Sequence, residues 1–176
     1  IDVFSNKVAF IDVITNFAYL AIVNHYIKPT LEKKIKVIEI LKGRHPVVEE
    51  SLKKEVAQYV SNDCLMNNNE NLWLMTGPNM AGKSTFLRQV AITILMNQIG
   101  SFVPAESARL SVFDKIFTRI GASDNLSKGL STFMVEMIET SRIINSATES
   151  SFVILDELGR GTSTEDGLAI SQAVLE

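Results

Sequence analysis

The chain has 176 residues, 46% of them apolar and 21% charged, enough for one domain, or a domain plus an appendage, around a sizeable core. Its 20 acidic and 17 basic residues leave a net charge of −3 with no long basic run, which argues against this segment as the main grip on a nucleic acid. A single cysteine, Cys64, excludes an internal disulfide framework and any multi-cysteine metal site, and reads as a small buried apolar side chain.

The start at Ile1 without a methionine and the stop at Glu176 inside an apolar-periodic stretch read as the ends of a fragment. Neither end carries a targeting pattern, and no apolar run is expected to be long enough to span a bilayer. Residues 1–26 place Val3, Phe10, Phe17 and Leu20 at helical spacing, with Val13 and Ile14 between them. That pattern predicts a helix with a broad apolar face, ended by Pro29. After a basic connector, KIKVIEI alternates as a strand does, with Ile35 and Val37 on one face. Gly43-Arg44-His45-Pro46 breaks the pattern, and residues 67–71 read as a polar surface loop.

From Leu72 the order becomes regular. A strand, LWLMT, runs into a glycine loop, and a helix follows to about Ile99. GSFVP breaks the chain, and a second strand covers about residues 115–119. The small-residue loop GASDNLSKGLS precedes a helix over residues 132–146, with Phe133, Met137 and Ile144 near one face. The apolar strand FVIL leads into Asp156-Glu157, and LGRGTS opens a last helix whose Ser163 and Asp166 fit a capping box. Strands alternating with helices predict parallel pairing in an α/β layer fold.

TGPNMAGKST contains GxxxxGK(S/T) from Gly77 to Ser84. Its glycines let successive backbone N–H groups converge on a β-phosphate. Lys83 reaches the β- and γ-oxygens, the Ser84 hydroxyl ligates Mg²⁺, and the helix that follows turns its positive end toward the anion. The pattern arises by chance in well under ~1% of chains this long, although a plain glycine turn between strand and helix has the same outline. At the end of FVIL, Asp156 is a second candidate magnesium ligand. Glu157 is a candidate base for the water that attacks a γ-phosphate. Alone, an apolar run ending in two acids is only a strand leaving the core. Beside a phosphate loop it is a hydrolytic pair.

The segments TGPNMAGKSTFLRQ, GSFVPA, IFTRIGASDNL, STFMVEM and LDELGRGTST, in this order and spacing, resemble the ATPase domain of the MutS family of DNA mismatch-repair proteins, from about Gly43 to Leu175. The resemblance implies a P-loop NTPase of the ABC-ATPase type, with a mostly parallel sheet flanked by helices and a lever-type helix before it. Residues 1–30 would end the lever region, and residues 31–176 would form an ATPase domain truncated at its C-terminus. The nucleotide cradle would be Gly77, Pro78, Asn79, Met80, Ala81, Gly82, Lys83, Ser84 and Thr85, holding ATP with Mg²⁺. Tyr59 would stack on the adenine and Asn62 would frame it, although Ser61 stands where the motif usually has proline. Without the resemblance Tyr59 is a core aromatic. Ser131 would donate to the γ-phosphate held by the other subunit of a dimer; from the residues alone it is a helix cap. The loop with Thr162 and Ser163 would cross that dimer interface, where Glu165 departs from the family's aromatic residue.

The partners implied are a second MutS-family subunit, identical or not, and mismatched double-stranded DNA held mainly by parts absent here. A MutL-type downstream protein is also implied, and no membrane. The family's histidine near the nucleotide lies beyond Glu176. His45 reads as structural and His25 as a helix-surface residue, so neither replaces it. The wording of AGKSTFLRQ and STFMVEMIETS is similar to the bacterial and organellar branch, which implies a mitochondrial protein, with bacterial cytoplasm or nucleus as alternatives. A transporter or chromosome-organising ABC ATPase would instead carry a signature close to LSGGQ and a glutamine loop. A clamp with dead catalysis is opposed by the intact Lys83, Ser84, Asp156 and Glu157. The isolated chain is expected to bind nucleotide weakly and hydrolyse little.

Overall fold

The computed structural model describes residues 2–120 and 132–176. The chain divides into two compact units, Ile1–Val112 and Phe113–Glu176.

The first unit opens with α1, Asp2–Val23. The helix stops well before Pro29, because His25 takes a left-handed conformation (φ 53°) and the Tyr26 N–H turns back onto the Ala21 carbonyl at 2.9 Å. A residue in that conformation just past the last turn is a standard helix stop, so His25 belongs to the turn and not to the helix surface. Only Ala21 of α1 is buried, and Phe4, Phe10, Ile11 and Ile22 are each more than half exposed. Contrary to the sequence expectation, α1 is by length and composition apolar enough to cross a membrane. Lys7 and Asp12 inside it oppose insertion, since a charge at mid-bilayer costs about 2.5–3.5 kcal/mol on insertion scales.

Four strands form one sheet: β1 (Thr30–Glu32), β2 (Val37–Gly43), β3 (Asn62–Asn67) and β4 (Ser107–Ser111), in the order β1-β4-β2-β3. β2 runs antiparallel to both neighbours, pairing Ile38 with Met66 and Leu110, and Ile40 with Cys64 and Ala108. Only β1 and β4 are parallel. The register puts Val37, Ile38, Ile40, Cys64 and Leu110 in the core with Val90 and Ile94 of α3 (Lys83–Gln98), each large side chain adding about 1.5–3 kcal/mol of burial. Burial pushes the Cys64 thiol up to about 12, so it is an inert core group. On one face Arg109 forks onto Glu39, its cross-strand partner, at 2.8 and 2.5 Å.

This mixed sheet overturns the expected P-loop NTPase fold of the ABC type with its mostly parallel sheet. Residues 72–76, expected as the strand before the phosphate loop, pair with no strand among the described residues. Their apolar side chains stay outside, Leu72 60% and Leu74 80% exposed, while Trp73 stacks on Phe86 of α3. Apolar composition raises the odds of a strand but supplies no ladder; without a neighbour to take its N–H and C=O groups the segment stays irregular. The other cause is direction. The nine-residue α2 (Pro46–Lys54) and β3, neither expected from the sequence, return the chain antiparallel to β2.

The second unit does contain such a crossover. β5 (Ile116–Arg119) and β6 (Phe152–Leu155) pair in parallel, from Ile116 with Phe152 to Arg119 with Leu155, and α4 (Thr132–Ser146) lies between them in sequence. Asp114 accepts from Thr148 and Ser151 at 2.7 and 2.9 Å, fixing the entry to β6. These bonds hold its carboxyl below the usual carboxylate range. α5 (Thr164–Leu175) begins as expected, with Ser163 accepting from the Asp166 N–H at 3.2 Å and donating to its carboxylate at 2.7 Å.

Candidate functional site

The candidate residues fall in both units. In the first, the segment from Gly77 to Gly82 is exposed and ends where α3 begins. Gly82, at φ 89°, is the N-cap of α3. A side chain there would be strained by about 1–2 kcal/mol. Gly82 brings no side-chain cap hydrogen bond, and the positive N-terminal end of the 16-residue α3 favours an anion. Lys83 follows, its Nζ donating to the Gly77 and Pro78 carbonyls at 2.6 and 2.8 Å. The ammonium thus lies over the loop backbone. Met80, fully exposed, takes φ 63°, a conformation that non-glycine residues hold at functional loops more than elsewhere. Asn79 and Ala81 are exposed, and Ser84 and Thr85 half-buried in the first turn of α3. These features fit a polyphosphate: a positive helix end and a cation on one short loop.

Tyr59 is half-buried just before β3 and donates its hydroxyl to Gln89 Oε1 of α3 at 2.7 Å. Desolvation raises its pKa, opposed by Asn62 and the His45 backbone. Asn62 is exposed, its amide donating to the Val60 carbonyl at 3.0 Å. Both lie in the same unit as the glycine loop. His45 is the N-cap of α2, its Nδ1 accepting from the Val48 N–H at 3.4 Å, the structural part expected of it.

In the second unit Asp156 is buried at the carboxyl end of β6, and its N–H donates to the Arg119 carbonyl at 2.8 Å. Glu157 is exposed in a left-handed conformation, φ 55°, and its carboxylate accepts from Arg160. Ser131 lies outside the described residues, as does most of the loop before it. Among the described residues no group of three His, Cys, Asp or Glu side chains forms a metal cage. A Mg²⁺ ion here would draw its remaining ligands from phosphate and water.

The expected face of α4 is displaced. Glu136, Thr140 and Ile143 are its buried residues, while Ile144 is 55% exposed, so the inward stripe is turned by one residue from Phe133, Met137 and Ile144. A glutamate on a stripe with Ile143 carried that signal, but apolar periodicity alone cannot choose a polar residue for the core. Gln89, completely buried on α3, was passed over for the same reason.

Residues 73–176 match the family model described as MutS domain V. The chain belongs to the MutS domain V family. It is 56% identical over 174 residues to a DNA mismatch repair protein MutS of Rickettsia bellii, which covers 99% of the chain and 20% of that relative. The MutS proteins of Rickettsia canadensis and Rickettsia felis are 58% and 57% identical over 166 residues, covering 94% of the chain and 18% and 19% of those relatives. The chain therefore spans about a fifth of the length of the MutS relatives it matches.

Proposed function

We propose that this chain is the ATP-binding and hydrolysing part of a DNA mismatch-repair protein, in which nucleotide binding drives a dimer to close on mismatched double-stranded DNA and hydrolysis resets it. The observation that carries the proposal is the start of α3: an N-cap with no side chain to satisfy the first turn, and a lysine ammonium laid over the exposed glycine loop. Gly77, Pro78, Asn79, Met80, Ala81 and Gly82 would cradle the phosphates, Lys83 would pair with the β- and γ-oxygens, and Thr85 would line the first turn. Mg²⁺, held by Ser84 and Asp156, would supply charge neutralisation at the phosphates. Glu157 would take the proton of the water whose oxygen attacks the γ-phosphorus as the bond to the β-phosphate oxygen breaks. Tyr59 would stack on the base beside Asn62, and Ser131 would serve the site of a second MutS-type subunit. Membership of the MutS domain V family and relatives named as mismatch repair proteins support this.

The test is Glu157→Gln in the full-length protein. ATP binding is expected to persist while turnover falls on the order of 10²–10⁴-fold, the usual contribution of a positioned base. Unchanged turnover would remove Glu157 from the role.

A further inference from the structure

Glu157 sits in a backbone conformation that a non-glycine residue holds only when its surroundings enforce it. Its chain is fastened on both sides. On the near side the Asp156 N–H donates to the Arg119 carbonyl at 2.8 Å, continuing the β5–β6 ladder. On the far side the Gly159 N–H donates to Glu136 Oε1 of α4 at 2.6 Å. Glu136 is 2% exposed, and burying a carboxylate needs compensation. Its other oxygen lies 3.8 Å from Arg119 Nη2, and Arg119, itself 6% exposed, also reaches Glu139 at 3.2 Å. Arg119 thus meets Asp156 through its backbone and Glu136 through its side chain. The loop rests on α4 at a second place, since a Cβ on Gly161 would lie 2.9 Å from that of Phe133.

We propose that Glu136 is a positioning residue for hydrolysis: its carboxylate holds the loop after β6 so that Glu157 keeps the orientation it needs toward water. This rests on the assignment of Glu157 as the base. Glu136 acts through the Gly159 amide.

Two substitutions in the full-length protein separate reach from charge. Glu136→Gln keeps an acceptor oxygen at the same reach, and Glu139 still faces Arg119. Glu136→Asp keeps the charge but withdraws the oxygens by one methylene. Glu136→Gln is expected to keep kcat within about threefold of the parent. Glu136→Asp is expected to lower kcat on the order of a hundredfold, as misplacement by an ångström does, with ATP affinity unchanged and the protein still folded at the assay temperature. Equal kcat in Glu136→Asp and the parent would overturn the proposal. So would a matched fall in both variants, or loss of ATP affinity or folding in step with kcat, because each makes Glu136 structural only. Glu157→Gln is measured alongside. If its turnover collapses while Glu136→Asp stays active, the clasp fails and the base stands; if it turns over normally, the base assignment fails and takes the clasp with it.

Discussion

The hydroxyl of Tyr59 donates to Gln89 Oε1 at 2.7 Å, tying the segment that enters β3 to a side chain of α3 with no exposed surface. Desolvation raises the Tyr59 pKa, so the hydroxyl stays protonated and keeps donating. Gln89 Nε2 has no partner among the described residues, which leaves the Tyr59 bond as the amide's anchor.

Removing that hydroxyl should therefore cost more than an ordinary hydrogen bond. Tyr59→Phe is expected to destabilise the protein by about 1–3 kcal/mol in urea unfolding, because the buried amide then has neither end satisfied. Adding Gln89→Leu should return most of the loss, since two apolar groups need no partner. Under the proposed function Tyr59→Phe keeps its ring and its ATP affinity, whereas Tyr59→Ala loses affinity. Additive losses in the double variant would show that the two residues are not coupled.

A pH dependence follows from His45. Its ring is 6% exposed, and burial, with the Arg88 charge in the same direction, lowers its pKa below the ordinary 6.5. The fold favours the neutral ring, whose Nδ1 accepts from Val48. Below 6.5 the unfolded chain binds the proton first, so this contribution is full above 6.5 and is lost as pH falls toward the depressed folded value. The melting temperature should drop as pH is lowered from about 7 to about 5. His45→Asn, which keeps a capping oxygen, should flatten that part of the profile. An identical profile in the variant would exclude His45 as the source.

Gly159 takes φ 80°, and a Cβ there would lie 2.7 Å from Gly167 Cα and 2.8 Å from its carbonyl oxygen. Both contacts are with backbone, so neither can swing away. Gly159→Ala is expected to destabilise by about 2–5 kcal/mol, the sum of overpacking and left-handed strain. Denaturant unfolding of the variant measures it. A loss under half a kilocalorie would mean that the loop after β6 moves freely away from α5.

What the sequence made legible was local structure more than architecture. The Ser163 cap and the ranges of α4 and β6 could be read from local residues, because each is set within a few positions along the chain. The sheet could not. β4 was missed because Ser107–Ser111 holds one large apolar residue, Leu110, whose burial comes from β2. LWLMT looked like a strand because apolar content is a local property, but a strand also needs a ladder partner from elsewhere. Glu136 and Gln89 were invisible for a related reason: a polar side chain becomes a core residue only through a partner distant in sequence, here Gly159 and Tyr59.

The central claim is that the Lys83 ammonium leaves the Gly77 and Pro78 carbonyls for the phosphates of ATP. Equilibrium binding of ATP with Mg²⁺ to the full-length protein and to Lys83→Ala tests it most directly. A lost charged hydrogen-bond donor is worth about 1.5–3 kcal/mol, so affinity should fall about 10–150-fold. Equal affinity in the two proteins would place the nucleotide elsewhere and contradict the account.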